Sequence, residues 1–530
     1  MRRWLLVASV PLLVVVVVVR RTSAGSGRRG VTPLGLALAT RRRLPPPPPV
    51  ARAASGETLW FTQRLDHFNA SNNDTWKQRF FRNTAHHEAG GPVLLYVGAE
   101  TEANVAWVQA GFMASLCARL RGLCLELEHR FYGQSRPTRD LSTENLRFLS
   151  AEQALADLAN FIRQYRQEHA DTLLAPWVVF GGSYAGNLAA WARLRYPHLV
   201  DAAVASSAPV LANLTFPGYL EVVGEVVGAN DAACLEDIRA AAAELEERLQ
   251  TEADSAVINK FFRLCTPLDA SNTDDVASVE DVLEVPFANA VQSSSNKVGD
   301  DVRRLCAAAR SSPGETALQR HAALAVADFG ADARGSCLNA TYVATIADLR
   351  RTNYSSSSCE YLGDGCHGST RQWLYQTCTE FGYFVTTDSD KQPFGHRIGV
   401  SFSGGICEAV FGPEFTLERT SHGVSATNTH FGGRSPNVSH VVFVNGALDP
   451  WHRLSVTHDL SDTARAVVIP DTSHCADMLD DGPGDSNALH TARRRIAELV
   501  ATWTAAAIKH VHGKAPSTRA TTIHELLLQT

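Results

Sequence analysis

Phe180-Gly181-Gly182-Ser183-Tyr184-Ala185-Gly186 follows a short apolar run at 176–180 and precedes a helix-like stretch at 187–196. A serine flanked by small residues at a strand-to-helix junction is the pattern of a nucleophile elbow, where glycine lets neighbouring backbone pass close to the hydroxyl. The string alone also fits a flexible Gly-Gly-Ser turn, and its fifth position is Ala185, with glycine one place later. Context favours the elbow. Upstream, apolar runs at 92–97 and 123–128 alternate with helical patterns at 105–120 and 151–169, and Ser150 with Gln153 has the spacing of a capping box. Strands alternating with helices predict an α/β fold built on a parallel sheet, with its site at the strand ends.

A serine hydroxyl needs a base to take its proton and a group to orient that base. On such a sheet the partners follow the serine in the order acid, then histidine. A buried-strand pattern at 440–446 is followed by Ala447-Leu448-Asp449-Pro450-Trp451, and a second at 464–469 by Pro470-Asp471-Thr472-Ser473-His474-Cys475. Both polar residues sit in loops just past strand ends. Asp449 is therefore the candidate orienting acid and His474 the candidate base, with His452 and Asp471 as competitors for the two roles. The oxyanion donors expected on this geometry are the backbone N–H of Tyr184 and one from the loop after 92–97, at Ala99 or Glu100. Glu100 and Trp451 are the candidate substrate-binding residues; Trp451, beside the acid turn, would wall a pocket or sit in the core as a buried tryptophan.

The chain resembles the serine peptidase family that includes lysosomal Pro-Xaa carboxypeptidase, dipeptidyl peptidase II and thymus-specific serine protease. The resemblance rests on Phe61-Thr62-Gln63-Arg64-Leu65-Asp66-His67-Phe68-Asn69, Glu128-His129-Arg130-Phe131-Tyr132-Gly133-Gln134-Ser135, the elbow, Asn445-Gly446 with Asp449-Pro450-Trp451, and Ser473-His474-Cys475. It leans toward the thymus-specific members through Arg371-Gln372-Trp373-Leu374-Tyr375-Gln376-Thr377-Cys378-Thr379-Glu380-Phe381-Gly382 and Trp451-His452-Arg453-Leu454-Ser455-Val456. The resemblance implies an α/β-hydrolase core at 57–212 and 395–512, interrupted by a mostly helical cap at 213–394. It also implies Ser183, Asp449 and His474 as the catalytic set and an acyl-enzyme route to peptide hydrolysis. Action at chain ends, possible cleavage after proline and a peptide or protein substrate belong to the same implication. Two departures stand out: Gly98-Ala99-Glu100-Thr101 lacks the glycine that relatives carry after the glutamate, and 385–390 lacks cysteines found nearby in thymus-specific members. The elbow and the acid–base loops alone also suit an esterase or lipase, or a silent binding protein on the same scaffold.

At 530 residues with 45% hydrophobic content, the chain can bury a large core and carry a second unit. A net charge of -6, with its arginines clustered at the N-terminus, argues against nucleic acid as the main partner. Residues 1–24 read as a signal peptide: Met1-Arg2-Arg3, then an apolar run at 4–19 that falls short of the ~18 residues of a membrane span. A signal anchor is the alternative, and it alone would give a membrane association. An Arg- and Pro-rich leader at 25–56 is expected to be disordered. An Ala/Glu-rich stretch at 231–252 reads as a solvated amphipathic helix, with Ser-rich breaks at 293–295 and 355–358. A terminal helix at 491–508 precedes an expected mobile tail at 513–530. Eleven cysteines without zinc spacing, and acceptor sequons at Asn69, Asn73, Asn213, Asn339, Asn353 and Asn437, fit a secreted, lysosomal or endosomal protein. The odd cysteine count leaves at least one thiol outside an internal pair. His87-Glu88 lacks the second histidine of a zinc helix, so no metal or other cofactor is expected.

Overall fold

The computed structural model describes residues 30–31, 56–249, 252–294, 296–329, 337–354 and 369–512. The expected signal segment, nearly all of the leader, the 355–358 break and the tail lie outside these residues. An eight-stranded sheet forms the centre, with strands β1 (Glu57–Arg64), β2 (Thr75–Asn83), β3 (Val93–Val97), β4 (Leu123–Leu127), β5 (Trp177–Gly182), β6 (Ala202–Ser206), β7 (Val441–Gly446) and β8 (Ala464–Ile469). Their spatial order is β8-β7-β6-β5-β3-β4-β2-β1. The six strands from β8 to β4 run parallel, and β2 and β1 extend the sheet through antiparallel pairings.

Strands buried on both faces read as continuous apolar runs, which is why β3, β5 and β7 carry Val-Leu-Leu-Tyr-Val, Trp-Val-Val-Phe and Val-Val-Phe-Val. Alternate side chains serve opposite faces. Val93, Leu95, Trp177, Val179, Ala203 and Phe443 join a core with helices α2 (Ala151–Glu168) and α3 (Tyr184–Arg195). Leu94, Tyr96, Val178, Phe180, Val204 and Val442 join one with α1 (Phe112–Arg119) and the terminal helix, Asn487–His512. This strand order, with helices on both faces and a sharp turn after β5, is an α/β-hydrolase core.

Between β6 and β7 the chain leaves the sheet for a run of helices that includes α4 (Gly218–Asn230), α5 (Ala232–Arg248), α6 (Glu252–Phe261), α7 (Thr273–Ser293), α8 (Val298–Ser311) and α9 (Ala317–Asp328). Helices α5, α6, α7 and α9 share an apolar core of their own through Leu245, Ile258, Val279, Val282 and Ala322, whereas α8 buries Val298, Val302 and Cys306 in the core that also holds one face of the sheet. α5 buries Cys234, Ile238, Ala241, Ala242 and Leu245 along one face, as an amphipathic surface helix should. Cys234–Cys306 and Cys265–Cys337 crosslink this region.

Two local expectations need correction. The single helix read at 105–120 is a 3-10 turn, Val105–Val108, and then α1, because Gly111 between them takes φ 91°, a left-handed value that ends helical geometry. The capping box at Ser150 is half formed. Ser150 Oγ accepts from the Gln153 N–H at 3.2 Å, but the Gln153 amide turns away to Asp66 (2.7 Å) and the His67 N–H (3.1 Å), tying α2 to the loop after β1.

Candidate active site

Ser183 occupies the turn between β5 and α3 at φ 59° and ψ −130°, a strained conformation for a residue with a Cβ. The glycines around it are required by close approach. A Cβ on Gly181 would stand 2.0 Å from the Ala185 carbonyl oxygen, and one on Gly186 would stand 2.8 Å from that of Ser206. Ser183 donates its N–H to the Ser206 carbonyl at 2.9 Å, which pins the turn to β6.

Asp449 follows β7 and caps the turn Pro450–Leu454, accepting the Trp451 N–H on Oδ1 at 3.0 Å. Its other oxygen, Oδ2, accepts from Nδ1 of His474 at 2.9 Å, and both side chains are fully buried. In the neutral ring, with Nδ1 donating to Asp449, Nε2 carries the lone pair; Nε2 makes no hydrogen bond among the described residues. The serine and histidine loops meet at the end of β6, where Cys475 Sγ lies 3.9 Å from the same Ser206 carbonyl that receives the Ser183 N–H. Burial opposes the charged imidazolium of His474, and the adjacent Asp449 carboxylate together with Cys475 outweighs it and raises the pKa well above the ordinary histidine value. His452 turns Nδ1 to the Asp449 backbone carbonyl at 2.6 Å, and Asp471 is exposed, so neither competitor joins the pair.

The Tyr184 N–H is the first in α3 and has no partner within the helix by geometry. Ala99 and Glu100 follow β3 and are buried. Behind the elbow, the Tyr184 hydroxyl accepts from Gln376 Nε2 at 3.0 Å and donates to His129 Nε2 at 3.2 Å. The opposite nitrogen of His129 donates to the Arg130 carbonyl at 2.7 Å, and Tyr132 donates to Gln376 Oε1 at 2.5 Å. Burial pushes His129 down to about 4, so the ring is neutral, as this network requires. Two widely separated strings, 128–135 and 371–382, thus converge on the residue after Ser183.

Trp451 is buried, donates to Gln292 Oε1 at 3.0 Å, and packs against Phe216, Tyr219 and Tyr383 with ring centroids 5.4 to 5.6 Å apart. It also lines a cavity with Trp373, Tyr383, Ile398, Phe402 and Asp281, so it serves as both core residue and wall. Among the described cysteines, Cys117–Cys124 and Cys378–Cys407 also pair, and Cys475 is a buried free thiol. Asn69, Asn73, Asn353 and Asn437 are exposed, whereas Asn213 and Asn339 are half-buried. One group with metal-ligand spacing, Asp481, Asp485 and His490, already has both carboxylates paired with Arg493. Ser206, Ser207 and Asp477 escaped the sequence reading, since a Ser-Ser pair at a strand end carries no distinctive signal.

Residues 63–496 match the model of the serine carboxypeptidase S28 family. The chain belongs to that family. It is a serine peptidase. It is 38% identical over 459 residues to the thymus-specific serine protease of Mus musculus, covering 84% of this chain and 87% of the relative. The Homo sapiens protein of the same name is 35% identical over 85% of this chain and 87% of its own. The lysosomal Pro-X carboxypeptidase of Bos taurus is 28% identical over 84% and 87%. These matches span the sheet and the inserted helices alike.

Proposed function

We propose that this peptidase cleaves through a Ser183–His474–Asp449 triad and an acyl-enzyme. The observation that carries the proposal is the buried Asp449–His474 hydrogen bond, formed by loops at the same C-terminal end of the parallel strands as the elbow. Ser183 Oγ attacks the peptide carbonyl as Nε2 of His474 takes its proton. Asp449 fixes the tautomer and compensates the imidazolium, and His474 then protonates the leaving amine before water releases the acyl group. The backbone N–H groups of Tyr184 and Ala99 hold the oxyanion.

The insertion between β6 and β7 acts as a cap that restricts access and favours chain ends. A relative named as a Pro-X carboxypeptidase supports exopeptidase action and cleavage after proline. The aromatic cavity beside Trp451 offers such a ring apolar surface and asks for no amide hydrogen, which proline lacks. Four disulfides among the described residues fit folding in the secretory pathway.

Ser183→Ala is expected to remove fluorophosphonate labelling and to cut kcat by about a million-fold in folded protein. Retained labelling would refute the assignment. Sequencing the products of a peptide library shows which end is trimmed, and release of internal fragments alone would exclude exopeptidase action.

A further inference from the structure

One dipeptide at the end of β6 touches all three chain segments of the proposed triad. The Ser206 carbonyl accepts the N–H of Ser183 at 2.9 Å. The Ser207 N–H donates to the Val444 carbonyl at 2.6 Å, on β7, the strand that leads to Asp449. Ser207 Oγ accepts the N–H of Cys475, next to His474, at 2.9 Å. A fourth tie runs deeper, where Ser206 Oγ donates to Asp477 Oδ1 at 2.5 Å. Arg493 of the terminal helix holds the far side of that loop by donating to the carbonyls of Ala476 (2.8 Å) and Asp477 (3.2 Å). Ser206, Ser207 and Asp477 are all buried.

Backbone conformation adds a second, independent observation. Ser207 at φ 46° and Cys475 at φ 54° both stand in the left-handed region, as Ser183 does at 59°. Non-glycine residues persist there only where surroundings over-determine them. The hydroxyl–amide bond between Ser207 and Cys475 joins two of these strained points, and the Ser206 carbonyl reaches the third. Losing the Ser207 hydroxyl strands the buried Cys475 N–H without an acceptor and frees the loop to relax. The resulting displacement falls on Nε2 of His474.

Resting on the proposed triad, we infer that Ser206, Ser207 and Asp477 are positioning residues, a junction that keeps the His474 loop in register with Ser183. All three are shut off from solvent behind the elbow. Their effect is therefore on turnover and not on binding.

The test is steady-state kinetics of Ser207→Ala and Ser207→Gly in the full chain. The expected result is a kcat about 10- to 100-fold lower with KM within about two-fold of wild type, since small misplacements of reacting groups are costly. Glycine tolerates the left-handed backbone, so its equal loss assigns the effect to the hydroxyl. Should the Ser207 variants fail to fold, Asp477→Ala is expected to lower kcat in the same way, and Asp477→Asn, which keeps an acceptor for Ser206, to recover most of the loss. Wild-type kcat in folded Ser207→Ala, or a loss carried by KM, overturns the junction. Ser183→Ala run in parallel separates the two readings: if it remains active the triad itself is wrong, whereas an inactive Ser183→Ala beside a fully active Ser207→Ala removes the junction alone.

Discussion

Asp449 has both carboxylate oxygens committed, Oδ1 to the Trp451 N–H and Oδ2 to His474. Its geometry is thus fixed by its own turn before it orients anything. Asp449→Asn keeps the size and the cap but offers His474 an amide that favours the wrong tautomer. The expected outcome is a fall in kcat of about 10⁴-fold with little change in melting temperature, read by kinetics and thermal unfolding. An Asn variant within ten-fold of wild type would remove Asp449 from the mechanism. The loop positions of Ser183, Asp449 and His474 were legible in the sequence because each follows an apolar strand at a break. Ser207 was not, because its role depends on an amide 268 positions away.

At the scale of elements, the loop after β4 shows how an ionic motif becomes scaffold. Glu128 binds Arg79 (2.5 Å) and the N–H groups of Ala103 (3.1 Å) and Gln134 (3.1 Å), tying the loop to β2 and to the segment after β3. Arg130 forms a two-bond pair with Asp157 of α2 at 2.6 and 2.7 Å, and both side chains are excluded from solvent. It also donates to the carbonyls of Leu65 and Phe148. Removing one partner of a buried pair leaves an uncompensated charge, so Arg130→Met should destabilise the fold by about 3–5 kcal/mol in denaturant titration. A change under about 1 kcal/mol would show that His67, also bonded to Asp157 at 2.7 Å, suffices. This loop carries much of the family resemblance, yet its charged residues act in packing, and only its histidine and tyrosine reach toward the elbow.

Across the whole molecule, two buried glutamates hold the inserted region, Glu280 within it and Glu380 against α2. Glu280 of α7 accepts the N–H of Arg397 at 2.8 Å, and burial pushes its carboxyl up to about 8. Glu380 accepts the N–H of Ala151, at the start of α2, at 3.0 Å, and burial pushes it up to about 8 as well. For acids raised on folding, both states hold the proton below the unfolded value near 4.5. As pH climbs from there toward 8, the unfolded chain releases protons that the folded chain keeps, so stability falls. The melting temperature is therefore expected to be several degrees higher at pH 5 than at pH 8, and the double variant Glu280→Gln, Glu380→Gln should flatten that slope. A melting temperature that rises with pH in wild type would contradict both assignments.

Local pattern determined five of the eight sheet strands, the elbow turn and the loops that carry Asp449 and His474, because apolar periodicity and glycine placement act over a few residues, and it passed over β1, β2 and β6. It marked 213–394 as inserted, while the chain stays away from the sheet from the end of β6 at Ser206 to the start of β7 at Val441 and includes the helices Val400–Phe411 and Leu417–Phe431. It overran at 105–120, where Gly111 broke a continuous apolar pattern, and at Gln153, whose amide found a better partner far away in Asp66. Tertiary structure alone decided that His474 and not His452 meets Asp449, that Tyr184 rests on Gln376 and His129, and that Ser207 receives the Cys475 amide. Those are hydrogen bonds between groups distant in the chain. Their partners are chosen by which strand lies beside which, and no local pattern records the order of a sheet.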